Sequence, residues 1–293
     1  RRRETKQGKP YLALKLADAS ETLEARVWSE GIEEIEPHAQ SGAAVHVRGT
    51  LDADEKWGRQ VKIESLWTAQ DGEYSTAELT GSPLTDPGEL EAELEGLIAS
   101  VADEQLRALL NAVLGKHSET GKRFRTMAAA KVNHEAYAHG LLEHTLRVAK
   151  GVDALSGLFP GVDRDLAITG ALLHDIGKTL TYTAGPLEID MTDQGKLISE
   201  IPLGYYLVAR EAERVDGISR ERTRALLHIV LSHHGLREYG SPVVPLTREA
   251  ELVHSVDNIA GRLGSYDRVE RGLSEGESWS PYDRALGKSV YFG

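Results

Sequence analysis

The segment Leu172-Leu173-His174-Asp175-Ile176-Gly177-Lys178 sets an imidazole beside a carboxylate at the end of an apolar run, ahead of a glycine that can stop a helix. Both are hard-to-borderline metal ligands, and a chain with no cysteine offers nothing softer for the role. Standing alone, a His-Asp pair is as well explained by the polar end of a helix. Here it has company: His144 lies upstream, and His233, His234 and Asp257 lie downstream, each in or at the end of an apolar helical pattern. Leu252, Val253 and Val256 turn Asp257 inward, and a buried carboxylate is costly unless it is paired or metal-bound. The spacing therefore predicts a divalent-metal site built from several helices.

His233 and His234 close the run Leu226–Leu231 and precede Gly235. Neighbours on a helix point about 100° apart, so one could bind metal while the other meets substrate. At a frayed helix end both could converge. His228 falls off that face and reads as structural. His254, one turn before Asp257, is either a support for a ligand or a structural residue. His38, His46 and His117 carry no metal signal. Lys178 could pair with a phosphate as a point charge, or be a lysine favoured at a helix C-terminus. One or two bound divalent ions would acidify a water for in-line attack at phosphorus. No Ser or Cys nucleophile motif and no phosphate-cradling glycine loop offers a rival chemistry.

The elements that must position these residues divide the chain. Residues 89–272 carry the helical period, as in Leu90, Leu94, Leu97, Ile98 and Val101, with helices expected over 89–114, 134–155, 163–176, 200–214, 220–233 and 248–263. Residues 185–197 read as a loop or short hairpin, and 273–293 as a weakly patterned tail. Residues 71–88, with Gly72, Gly81, Pro83, Pro87 and Gly88, read as a linker. Residues 1–70 alternate as strands do, with hairpin turns at Gly8-Lys9-Pro10 and Lys56-Trp57-Gly58-Arg59. That spacing suits a small barrel, best read as an OB-fold, or a β module with no ligand. The fold class is thus α+β: an N-terminal OB-fold β-barrel followed by an all-helical domain. The chain opens inside a strand-forming stretch, so the expectation is that N-terminal sequence is missing.

The net charge of −12 argues against a surface coated in basic residues for duplex binding. Residues 1–70 hold 11 basic against 12 acidic residues, the remainder 23 against 34, so a polyanion is better received by the first part. There, Tyr11, Trp28 and Trp57 could stack bases, with Lys9, Lys56 and Arg59 near phosphates; each aromatic could equally be core. Absence of cysteine excludes a disulfide framework and fits a reducing cytoplasm. No apolar run approaches the ~20 residues that span a bilayer.

Asn133-His134-Glu135-Ala136-Tyr137, Gly140-Leu141-Leu142-Glu143-His144-Thr145-Leu146, the His174-Asp175 segment and Leu231-Ser232-His233-His234-Gly235 resemble the HD-superfamily 3′–5′ exoribonucleases of the YhaM type, as do Gly8-Lys9-Pro10-Tyr11 and Ala25-Arg26-Val27-Trp28 in the β region. The resemblance implies an OB-fold joined to an HD domain and a cytoplasmic nuclease. It would remove nucleotides from the 3′ end of single-stranded RNA, or DNA, with Mn²⁺ or a similar ion (Mg²⁺, Co²⁺ or Fe²⁺). It implies His144, His174, Asp175 and Asp257 as core ligands, with His233 and His234 completing a second metal. Ser199-Glu200 stands where the family tends to have Gly-His, and His134-Glu135 where it has two histidines. Glu200 is either an oxygen ligand or a solvated first-turn residue. His174, Asp175 and Lys178 are the expected catalytic residues. Two other functions stay open on these residues: an HD phosphohydrolase of nucleotides or cyclic dinucleotides, and a single-strand-binding protein with a degenerate site. A homo-oligomer stays open too.

Overall fold

The first part of the chain forms five strands, the all-polar β1 (Arg2–Glu4) and, from residues that alternate apolar and polar, β2 (Pro10–Ala17), β3 (Thr22–Trp28), β4 (Val45–Asp54) and β5 (Gly58–Thr68). The computed structural model describes the chain apart from residues 20–21, 55–57, 131–135, 184–186, 188 and 275. The strands make one sheet in the order β1-β2-β3-β5-β4, antiparallel throughout except for the parallel pair β3–β5. Short helix α1 (Ile32–Ile35) lies in the crossover that a parallel pair requires. Its Ile32 and Ile35 are buried with Leu12, Val27, Ile63 and Leu66 in a small core. The sheet is open, with β1 and β4 as its edges, so the closed barrel expected from the strand spacing is not formed. Among the described residues β1 pairs with β2 and β4 with β5, and no pairing joins β1 to β4.

The chain falls into two compact units, the first built on Arg1–Gly81 and the second on the chain from Ser82 onward. The expected linker holds a short helix, α2 (Thr76–Thr80), which begins where the Glu78 carboxylate accepts the Ser75 N–H at 3.4 Å, a Ser-x-x-Glu signature.

The second unit is helical: α3 (Pro87–Ser100), α4 (Glu104–Leu114), α5 (Glu119–Thr126), α6 (Gly140–Ser156), α7 (Arg164–Leu173), α8 (Lys178–Thr181), α9 (Asp193–Ile198), α10 (Glu200–Ala212), α11 (Arg220–Ser232) and α12 (Arg248–Arg271). One continuous core, including Leu94, Leu110, Phe124, Leu141, Leu172 and Val253, runs through it. The single helix expected over 89–114 is two, because Asp103 caps α4 by accepting the Gln105 and Leu106 N–H groups at 3.0 Å. The helix expected from residue 134 starts at Gly140, after His139 takes a left-handed φ of 68°. The stretch after His117 is helix α5, capped by Ser118. Within the stretch 185–197, Met191 bridges to Tyr182 and α9 begins at Asp193. Within the weakly patterned tail, residues 278–292 form a hairpin. Ser280 N–H donates to the Val290 carbonyl at 2.9 Å, and Asp283 N–H to the Lys288 carbonyl at 3.0 Å. Arg268 of α12 anchors it by pairing with Asp283 at 2.8 Å.

Candidate metal centre

A helix end leaves the carbonyls of its last turn without intrahelical partners. His174 follows the last residue of α7, and its Nδ1 donates to the Ala171 carbonyl at 2.7 Å. His233 follows the last residue of α11 and donates in the same way to the Val230 carbonyl at 2.8 Å. His234 donates from Nδ1 to the Tyr239 carbonyl at 2.8 Å. A carbonyl only accepts, so in each ring the proton sits on Nδ1 and Nε2 carries the lone pair, as a metal ligand requires.

These side chains converge with His144 and with the carboxylates of Asp175 and Asp257. His144 on α6, His174 and Asp257 on α12 form one group, and Asp175, His233 and His234 a second; within each group one ligand atom per residue lies within 4.8 Å of the others. His144 Nε2 is 3.1 Å from Asp257 Oδ1 and 3.5 Å from Asp175 Oδ2. His174 Nε2 is 3.4 Å from the same Asp175 oxygen, while His233 Nε2 is 3.6 Å from the other, Oδ1. Asp175 thus presents one oxygen to each group. His174 Nε2, His233 Nε2 and Asp175 Oδ1 are buried and lack a hydrogen-bond partner. Buried polar atoms without partners are rare and costly, and three of them facing one another fit divalent cations as the missing partners.

The field in the site holds the two carboxylates in their charged form. Burial pushes the Asp175 carboxyl up, but Lys178 and His174 outweigh it and hold it well below the usual carboxylate range. Asp257 is likewise pushed up by burial and brought down further by its hydrogen bond to His144 and the charge of His174. Burial lowers His234, and the adjacent His233 adds to that. His233 itself is lowered by burial but raised on balance by Asp175. The carboxylates are anionic and ready for cations.

Around the donors lies a cavity of about 390 Å³ lined by His144, Asp175, Lys178, Glu200, His234 and Asp257, among others. Lys178 Nζ is 2.7 Å from Asp175 Oδ2. It faces the cavity, and burial, which would lower it, is overcome by Asp175, so the ammonium stays charged. Gly177 lies so close to the Glu200 carbonyl that any Cβ would overlap it, which brings α8 and α10 together. Glu200 lines the cavity and accepts from the Ser199 hydroxyl at 3.0 Å, but it is in neither donor group. His254 donates from Nδ1 to the His233 carbonyl at 2.8 Å. Its ring lies over Gly235, whose φ of 78° and overlap of any Cβ with that ring both call for glycine. His228 accepts the Leu246 N–H at 2.8 Å and is structural.

Sequence reasoning missed part of the cavity wall: Asn258, Arg262 and Ser265 on α12, and Ala285 and Leu286 from the tail hairpin. The four-residue steps Asp257-Gly261-Ser265 and Asn258-Arg262 were the available signal on α12. Nothing in the tail pointed to the site. In the first unit Tyr11 and Trp28 face one another across β2 and β3, ring centroids 5.6 Å apart, with Arg26 5.8 Å from the Tyr11 ring. Trp28 is 38% exposed, and Lys9 and Arg59 are exposed. Trp67, which sequence reasoning passed over, is exposed and stacked on His46 at 5.3 Å. Lys56 and Trp57 lie outside the described residues, as do Asn133, His134 and Glu135. No described helix is long and apolar enough to cross a membrane.

A family model of the HD domain matches residues 141–262. The 3′-5′ exoribonuclease YhaM of Halalkalibacterium halodurans is 32% identical over 272 residues, covering 92% of this chain and 82% of that protein. The protein of that name from Geobacillus is 31% identical with the same coverage, and that from Listeria monocytogenes is 32% identical, covering 92% of this chain and 84% of its own. No solved structure matches.

Proposed function

The chain belongs to the YhaM family of 3′–5′ exoribonucleases, and from that premise we propose that it hydrolyses phosphodiester bonds at the 3′ end of single-stranded RNA at the centre formed by α6, α7, α11 and α12. The carrying observation is the pair of buried donor groups that share Asp175. In this reading His144, His174 and Asp257 hold one divalent ion and Asp175, His233 and His234 a second, Mn²⁺ suiting the mix of imidazole and carboxylate. When bound, such ions lower the pKa of water and neutralise charge at phosphorus.

The chain's own groups do the rest. Lys178 keeps Asp175 ionised through its 2.7 Å pair and offers the cavity an N–H for a phosphate oxygen. Arg262, exposed on the cavity wall, adds a second cation for the strand. His254 is a positioning residue, holding the His233 carbonyl and with it the helix end that aims the ring. Glu200 acts from the cavity rim, where its charge favours cations without joining either donor group.

We assign the first unit to strand delivery. Five strands with one parallel pair suit an OB-like module that remains partly open. The exposed Trp28 ring against the half-buried Tyr11, with Arg26 beside it, suits bases and phosphates. A cytoplasmic setting fits the cysteine-free chain.

The test is a time course on single-stranded RNA labelled at its 5′ end, with Mn²⁺ and with chelator. A ladder that shortens from the 3′ end only when the ion is present supports the reading. Internal cuts, or turnover in chelator, would overturn it.

A further inference from the structure

The tail hairpin contributes to the cavity without contributing a metal donor. Its turn places Ala285 and Leu286 in the wall that also holds Asp175, Lys178 and Asp257. Buried side chains, an ion pair and one aromatic, Phe292, attach it. Ser280, Leu286 and Val290 are buried, Arg268 pairs with Asp283 at 2.8 Å, and Phe292 meets Tyr266 edge-on at 6.4 Å. Trp279 and Tyr291 stand opposite one another across the hairpin, ring centroids 5.0 Å apart, yet remain 61% and 56% exposed. Tyr282 on the same hairpin is 67% exposed. Burial therefore does not account for three large aromatics on one short element. Cations accompany them: Arg284 and Lys288 on the hairpin are exposed, and Arg262 and Ser265 carry the cavity wall along α12 towards Arg268, the residue that anchors the hairpin.

Exposed aromatic faces with basic side chains on the same hairpin, whose turn lines a phosphodiesterase cavity, match one class of ligand: the bases and phosphates of a single strand. We propose that the hairpin Ser278–Phe292 is a second strand-binding element, in which Trp279 and Tyr291 stack bases upstream of the 3′ terminus while Leu286 bounds the space for the terminal nucleotide. This rests on the exoribonuclease reading and adds to it a subsite belonging to the helical unit itself. Stacking is tolerant of sequence because every base offers a π-face, so the subsite would grip the strand without selecting it.

The experiment compares wild type, W279A/Y291A and W279F/Y291F in the full chain. Affinity for a single-stranded decanucleotide RNA with a non-hydrolysable backbone is read by anisotropy, and kcat and KM are read on hydrolysable decanucleotide and dinucleotide. W279A/Y291A should bind the decanucleotide about tenfold or more weakly, through KM rather than kcat, with a smaller effect on the dinucleotide. W279F/Y291F, which keeps two stacking faces, should recover most of the affinity. Equal binding by wild type and W279A/Y291A, or an equal loss in W279F/Y291F, would overturn the proposal. Because anisotropy reads binding without turnover, an inactive wild type that still shows the difference would sink the exonuclease reading and leave the subsite standing.

Discussion

Asp175 is where the two donor groups meet, since Oδ2 faces His144 and His174 while Oδ1 faces His233. Asp175→Asn keeps the size and removes the charge. Metal content by elemental analysis should drop, and turnover should fall beyond the ~10–100-fold typical of a lost supporting contact. Thermal unfolding should stay cooperative; full metal content in this variant would remove Asp175 from the centre. His254 supplies a finer test. His254→Ala should weaken divalent binding about 10–100-fold by titration calorimetry, and His254→Asn, which keeps an N–H donor for the His233 carbonyl, should recover part of it. The residues that form the two candidate donor groups were legible because a carboxylate or imidazole amid Leu and Val has few other uses. Their tethers were not, since the reach of His234 to the Tyr239 carbonyl depends on the turn beyond Gly235.

Gly177 decides how closely two elements meet. With the Glu200 carbonyl against it, Gly177→Ala must part α8 from α10 or strain both. Overpacking of this kind costs about 1–3 kcal/mol, so calorimetry should show a melting point lower by roughly 2–4 °C for each kcal/mol. An unchanged melting point would mean the two helices yield freely. Periodicity located α7, α10 and α11 to within three residues at each end, because each buries one long apolar stripe, but it placed the start of α6 six residues early and the end of α12 eight residues short. It failed where a single polar residue overrides the stripe, as Asp103 does in dividing α3 from α4. It also failed where pairing is settled over distance. Four of the five strands were readable from alternation, β2 to β5, but their pairing order was not, because it joins residues far apart in sequence.

At the scale of the molecule, two units with separate cores imply separable tasks. A fragment spanning residues 82–293 should retain metal binding and act on short oligonucleotides, while losing efficiency on long strands; equal rates on long strands would relieve the first unit of strand delivery. The composition shift and the Gly/Pro-rich stretch made that division visible in sequence. The unpaired donors of the second unit make its stability depend on ions. Adding Mn²⁺ at about 100 times its dissociation constant should stabilise the chain by about 2.7 kcal/mol, and chelator should reverse the rise in melting temperature. A melting temperature indifferent to divalent ions would mean the cluster is satisfied without them.

His174 and His233 each reach back three residues to a carbonyl of their own helix. The rings are therefore aimed within single helix ends, before any ion arrives. Uptake by ion-free protein should then be a simple encounter. Followed by stopped-flow, loading should be a single exponential whose rate rises in proportion to ion concentration, with no lag and no plateau set by a conformational step.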